Sequence, residues 1–406
     1  MLRIEKEGID LDRMAGAIEM AIQNHPALRT ILQFNEDGEI IQRYDSQMPV
    51  SVTLEKISED EFESIKDTLV QPFKIINAPL FRCRLFETES AAYLFFDVHH
   101  IVFDGASFKV FMNSTINAYM GAPLEKDYYY FVLQKREQVQ MTDFYTESCR
   151  YFEDKYENVK WTICPKIDTV TRENKFGELP CAAELSSAQL SLIERKYMVT
   201  RNEFYIAAAL LAIAISTNTR DVQVCWIYNG RDDLTTSVSV GLLFRDLPVA
   251  LRLSDKTSLC DIFAEVREQV QNGIKYSCYP YIESKPVVVD GDIAAVLYQR
   301  DLRDVGDFGG LDVEQIDIRQ NKAASQTVLD IQILDGEDGL QYVFDYAASR
   351  YKEDTMSEFQ KLFKRIITAI INANTDAYTF EQLKRDARGK KGLAQKLKNV
   401  FFQKGK

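Results

Sequence analysis

The stretch that most limits what this chain can fold into is Tyr93-Leu94-Phe95-Phe96-Asp97-Val98, which runs directly into His99-His100-Ile101-Val102-Phe103-Asp104-Gly105. The first six residues read as a buried strand. A helix is predicted to begin near Ser107 and to reach Tyr119. Strand, short loop and helix must therefore follow one another at once. The loop holds two of only three histidines in 406 residues.

The same alternation extends along the chain. A strand opens it at 1–4. Asp10 is placed to cap a helix running to about Asn24, with Leu11, Met14, Ile18 and Ile22 on one face. Pro26 in His25-Pro26-Ala27-Leu28 ends that helix, and Leu28 re-enters the core. Strands at 30–34 and 39–43 flank Asn35-Glu36-Asp37-Gly38, a hairpin signal. A helix near 58–69 and paired strands at 81–86 and 92–98 follow. The charged region 133–168 predicts one long helix. Beyond it come helices near 187–197 and 200–215, strands near 222–228, 293–299, 327–334 and 340–346, and helices at 259–272 and 354–373.

This is an α/β plan laid down about twice, and its length fits that reading, because single cores stop growing at roughly 250–300 residues. We place a boundary near 160, giving an N-terminal subdomain at 1–160 and a C-terminal one at 161–383. Residues 384–406 change character, with nine Lys or Arg and one acid, Asp386. Leu393, Leu397, Val400 and Phe401 align on one face there. The segment reads as a solvated tail, with a docking or linker helix as the alternative.

Several function classes are disfavoured. A net charge of -12 supplies no basic surface for nucleic acid. The apolar run 207–215 is too short to span a membrane. Seven scattered cysteines without CxxC spacing point to a reduced, cytoplasmic setting. Three histidines, one of them in the His25-Pro26 pair, make no convincing zinc set. There is no P-loop, no GxGxxG and no GxSxG elbow. Gly306-Asp307-Phe308-Gly309-Gly310 reads as a turn.

Neighbouring side chains at a strand end point to opposite sides. His100 is expected to face an opening, and His99 the protein body, where an ordinary core histidine is the plainer reading; both stand with Asp104 and Gly105 as the candidate catalytic residues. Gly105 allows close backbone approach. Asp104 either orients a histidine, as the acid of a triad does, or pairs with an arginine and holds the loop. Arg82 and Arg84, on one face of the adjacent strand, favour the second role.

The run from His99 to Ser107 resembles the HHxxxDG element of the condensation-domain superfamily of nonribosomal peptide synthetases. Further segments are similar to that family's motifs in the expected order. They are His25 to Thr30, Pro72-Phe73 with Ala78-Pro79-Leu80-Phe81-Arg82, Asp127-Tyr128-Tyr129-Tyr130, Asn229-Gly230-Arg231, Val240 to Val249, and Asp345-Tyr346. The resemblance spans roughly residues 1–380. It implies two chloramphenicol-acetyltransferase-like subdomains forming a V-shaped pseudodimer with a tunnel between them. It also points to Arg82 as the partner of Asp104.

By the same resemblance, a donor acyl or peptidyl group arrives as a phosphopantetheine thioester and is transferred to an aminoacyl amine, forming an amide. His100 removes the amine's proton or organises the amine, and Gly105 offers its amide to the oxyanion. The implied partners are donor and acceptor peptidyl carrier proteins and an adjacent adenylation domain. The protein is expected to bind no cofactor of its own and to act as a monomer. Three departures stand out. Arg245 and Asp246 replace an asparagine and a threonine, Ala106 replaces a common tryptophan, and the chain opens inside the first strand without the family's upstream helix. They imply altered substrate choice, a fragment of a larger synthetase or an inactive relative. The alternatives are a free-standing acyltransferase acting on a soluble amine or alcohol, and a catalytically silent platform that recruits a carrier protein.

Overall fold

The aromatic run does form a strand, Ala91–Val98 (β6), buried over its first five residues. In the computed structural model, residues 1–171, 175–284, 293–300, 310, 312–316, 327–336, 339–373, 375 and 377–388 are described. The chain divides into two units.

Unit 1 is built on a five-stranded sheet. Its order is β11 (Val313–Gln315), β1 (Leu2–Glu5), β6, β5 (Phe81–Glu87) and β4 (Thr53–Lys56). The pairings are antiparallel except β4 with β5. Helices Leu11–Asn24 and Gly105–Met120 pack together over this sheet, joining Met14, Ile18, Ile22 and Phe111 to Leu2, Ile4, Leu85 and Leu94 in one core. Asp10 caps the first helix by accepting from the Arg13 amide at 3.0 Å. The second ends at Gly121, whose φ of 74° is the left-handed conformation that terminates a helix. The hairpin β2 (Thr30–Phe34) and β3 (Ile40–Tyr44) forms as its turn sequence predicts. Asn35 accepts from the Asp37 and Glu39 amides inside that turn.

Unit 2 holds a six-stranded mixed sheet. Its order is β7 (Phe176–Ala182), β13 (Gly339–Ala347), β12 (Leu329–Gly336), β10 (Ala294–Arg300), β8 (Asp221–Tyr228) and β9 (Arg245–Arg252). Only β10 runs parallel to its neighbours. The helix Arg201–Thr217 is apolar all round and buried from Glu203 to Ile215, as such a helix must be in water. Thr200 and Glu203 close a capping box at its start. Helices Leu259–Lys275 and Glu353–Ile371 share its core. Among the described residues no single helix is long and apolar enough to cross a membrane. The two-sheet α/β architecture is the one expected.

Two findings differ from the sequence reading. The long helix expected within 133–168 is two helices, Tyr129–Val139 and Asp143–Tyr156. Thr142 makes the break: it takes an extended conformation and its side chain caps the second helix at the Tyr145 amide. The chain also crosses between units more than once. Residues 229–244 and the strand Val313–Gln315 belong to unit 1, although the residues on either side of 229–244 belong to unit 2. This return brings distant residues to the histidine loop.

Residues 389–406 of the basic segment and Gly306 to Gly309 of the glycine-rich stretch lie outside the described residues. The described start of the basic segment, 384–388, ends a helix at 380–388 in which Phe380, Leu383 and Ala387 are buried. Lys384 pairs with Asp255 at 3.0 Å, and Tyr378 donates to Asp386 at 2.6 Å.

Candidate active site

The strand β6 stops at Val98, one residue before the histidines. His100–Val102 form a single 3-10 turn, and the Gly105–Met120 helix starts three residues later. The two histidines therefore diverge because the chain turns between them, and not by strand alternation. His99 is half-buried; its Nδ1 accepts from the Ile101 amide at 3.1 Å, and its ring stands edge-on to Phe73 at 5.8 Å. Burial pushes the His99 pKa down; the neighbouring His100 adds to this, and Asp97 opposes it. His100 is exposed, and its ring meets Phe244 edge-on at 5.6 Å. Gly105 is also exposed, in the first turn of the helix, where backbone N–H groups lack an intrahelical acceptor.

Asp104 is buried and fully engaged. It caps the helix through Oδ1, which accepts from the Ser107 amide at 2.9 Å and the Ser107 hydroxyl at 2.9 Å. Its Oδ2 accepts from Arg231 Nη1 at 2.9 Å, the Leu243 amide at 2.9 Å and the Phe244 amide at 3.3 Å. Burial alone would raise this carboxyl's pKa. The hydrogen bond and charge of Arg231, with the Leu243 and Ser107 amides, overcome that and hold it below its ordinary value.

This corrects the sequence expectation, which paired Asp104 with Arg82. Arg82 instead faces its cross-strand neighbour Asp97, with Nη1 3.0 Å from Oδ2. It also donates to the carbonyls of Gln71 and Pro72 and lies 3.9 Å over the Phe73 ring. Arg82 thus fixes the segment that supports His99. The reason is register: Phe81 pairs with Val98, so Arg82 falls opposite Asp97 and short of Asp104. Arg84, the other candidate, forms a two-pronged bond with Glu55 at 2.8 and 2.7 Å.

The partner that the sequence reading missed is Arg231, 127 residues from Asp104. Its signal was present in Asn229-Gly230-Arg231. Gly230 has φ +66°, and a Cβ there would lie 2.1 Å from the Leu243 carbonyl oxygen. Only glycine lets the chain pass that close and deliver Arg231 to Asp104. Ser107 completes the clamp by accepting from Arg231 Nη2 at 2.9 Å and from the Gly241 amide at 3.0 Å.

The departures at 245 and 246 lie on β9 in unit 2. Burial, reinforced by nearby Glu283, pushes the Asp246 pKa up to about 7. Burial also pushes the Arg245 pKa down. Among the described residues no group of His, Cys, Asp and Glu is arranged to hold a metal ion.

The sequence model of the family described as "Condensation domain" matches residues 1–391. Surfactin synthase subunit 2 of Bacillus subtilis (strain 168) is 25% identical over 395 residues, which cover 91% of this chain and 10% of that protein. This chain spans about a tenth of the length of that relative. Among solved structures, the condensation domain from the Monacolin K polyketide synthase MokA has a TM-score of 0.78 at 14% identity, covering 93% of each chain. The X-domain in its complex with OxyB from teicoplanin biosynthesis has a TM-score of 0.77 at 16% identity, covering 94% of this chain and 89% of the other. These structural likenesses concern the fold.

Proposed function

This chain belongs to the condensation-domain family, and we propose that it joins a carrier-bound acyl or peptidyl thioester to the amine of a carrier-bound aminoacyl group, forming an amide. The observation that carries this reading is the division of labour within one short loop. Asp104 is buried and consumed by five hydrogen bonds. His100, four residues earlier, is exposed and stands edge-on to the Phe244 ring.

In the proposed reaction the amine attacks the thioester carbonyl. The C–N bond forms, the thiol of the phosphopantetheine arm leaves, and one proton passes from nitrogen to sulfur. His100 takes the amine's proton or organises the amine, an effect typically worth about 10²–10⁴ in rate. The Gly105 amide, at the positive end of its helix, suits the oxyanion that develops on the carbonyl oxygen. Asp104 touches neither substrate; it fixes the loop through Arg231. No protein nucleophile is needed, and substrates bring their own phosphopantetheine. The proposed partners are donor and acceptor peptidyl carrier proteins and an adjacent adenylation domain.

The test is to load candidate carrier proteins, mix them with the protein and follow each carrier by intact mass. Transfer appears as loss of the acyl mass from the donor and its gain on the acceptor. After the product is released from its carrier, a new bond that resists alkaline hydroxylamine is an amide, and one that is cleaved is an ester. One observation favours a second reading, a silent platform that recruits a carrier protein: Arg245-Asp246 stands where the family's pattern has a neutral pair. That reading predicts carrier binding with no transfer across the whole panel.

A further inference from the structure

The third histidine, outside the loop, has the partners of a hydrolytic triad and no access. His25 Nδ1 lies 2.7 Å from Asp127 Oδ2, and its Nε2 lies 2.9 Å from Ser114 Oγ. His25 is 1% exposed and Ser114 7%, so no substrate reaches them. The use of this cluster is shown by what else it holds. Asp127 Oδ1 accepts from the Tyr129 amide at 2.6 Å, and Oδ2 accepts from the Val240 amide at 3.0 Å. The Tyr128 amide donates to Ser239 Oγ at 3.1 Å. Val240 opens the segment that ends in Phe244, the residue against the His100 ring.

Segment 239–244 is therefore hung by its amides on three side chains in turn. Asp127 takes Val240, Ser107 takes Gly241, and Asp104 takes Leu243 and Phe244. The Tyr129 ring closes the gap: a Cβ at Gly241 would lie 2.4 Å from its Cε2. Two of these anchors belong to the histidine loop and its helix. The first does not, and it depends on His25 to fix the carboxylate. A carboxylate accepts only, so Nδ1 carries the proton toward Asp127.

We propose that His25 and Asp127 are positioning residues for His100, acting through segment 239–244 and the Phe244 ring. The role assigned to them in transfer rests on the reading of His100 given above; their hold on the His100 ring does not. An Asp127→Asn variant removes the charge that gathers His25 and Val240. The segment then loosens at its first anchor, Phe244 moves, and the His100 ring changes environment. His99, held by Phe73 and the Ile101 amide, stays as it was.

The protein has three histidines, so ¹⁵N-histidine NMR gives three ring systems, assigned by single His→Gln variants. The expected result for D127N is a displaced His100 ring resonance with His99 unchanged. Turnover in the transfer assay is expected to fall roughly ten- to a hundred-fold, since small misplacements of a reacting group cost this much. A folded D127N protein whose His100 ring matches the wild type overturns the proposal, and so does one in which His99 and His100 shift alike. If His100 moves as expected but the wild type transfers nothing, the positioning stands and the condensation reading falls. Should D127N not fold, amide exchange in the wild type decides. Slow exchange of the Val240 amide supports the clamp, and exchange at the rate of an exposed loop refutes it.

Discussion

Two arginine–carboxylate pairs flank the histidines, and they behave oppositely. Asp97–Arg82 lies before them, with side chains 18% and 30% exposed; Asp104–Arg231 lies after them, at 4% and 6%. Both have similar Nη1–Oδ2 distances, 3.0 and 2.9 Å. Yet the Asp97 pKa is raised, because burial outweighs the charge and hydrogen bond of Arg82. The Asp104 pKa is lowered despite deeper burial. The difference is the number of donors. Asp97 receives one guanidinium, whereas Asp104 also receives three amides and a hydroxyl. An ion pair alone does not stabilise a desolvated carboxylate; the added donors do. The first pair fastens one strand-side segment, while the second ties three parts of unit 1 into one clamp.

The comparison breaks most visibly at Arg231. Arg231→Ala leaves Asp104 buried and charged, and we expect a loss of about 3–5 kcal/mol in urea unfolding. An R231A protein as stable as the wild type contradicts the clamp. Arg82→Ala removes a partly exposed pair and a cation–π contact, so its expected cost is about 1 kcal/mol. An R82A loss equal to that of R231A erases the distinction.

The pH dependence sharpens it further, because the signs differ. Asp104 ionises more readily folded than unfolded. Its stabilisation is complete above the unfolded carboxylate value and is lost as pH falls through its lowered folded value. Asp97 holds its proton more tightly when folded. Its contribution is greatest below the unfolded value and declines as pH rises through the raised folded value. Unfolding free energy measured against pH should therefore lose the Asp104 share of its acid-side fall in D104N and gain relative stability above the carboxylate range in D97N. Matching curves for the two variants contradict the assignment.

The same sign is expected in unit 2, where Asp246 is the extreme of the Asp97 case. Its pKa of about 7 means that the native state keeps a proton that the unfolded chain has already released. Stability then declines as pH rises through the interval up to about 7, and flattens above it. Asp246→Asn removes its share of that slope. Denaturation midpoints on either side of that value should differ in the wild type and differ less in D246N.

Much of the local structure was legible because it depends on short-range pattern. Asp10 announces its helix, Asn35 to Gly38 its hairpin, and the aromatic run at 93–98 its strand. The Thr142 cap is equally local, and it is what splits the long helix in two. The identity of the Asp104 partner was not local. Arg82 is near in sequence, but hairpin register commits it to Asp97. Arg231 arrives only because the chain returns to unit 1 at 229–244. His25 and Asp127 each sit in a short motif, yet their joint hold on Val240 depends on contacts across 102 and 113 residues. No periodicity encodes that.

The central claim is that His100 does the chemistry and Asp104 the holding. Its most direct test is the rate of acyl transfer by His100→Ala, followed by intact mass beside a thermal unfolding curve. The account predicts a wild-type melting temperature, because His100 is exposed and meets the Phe244 ring only edge-on, together with loss of transfer. A folded H100A protein that transfers at the wild-type rate would contradict it.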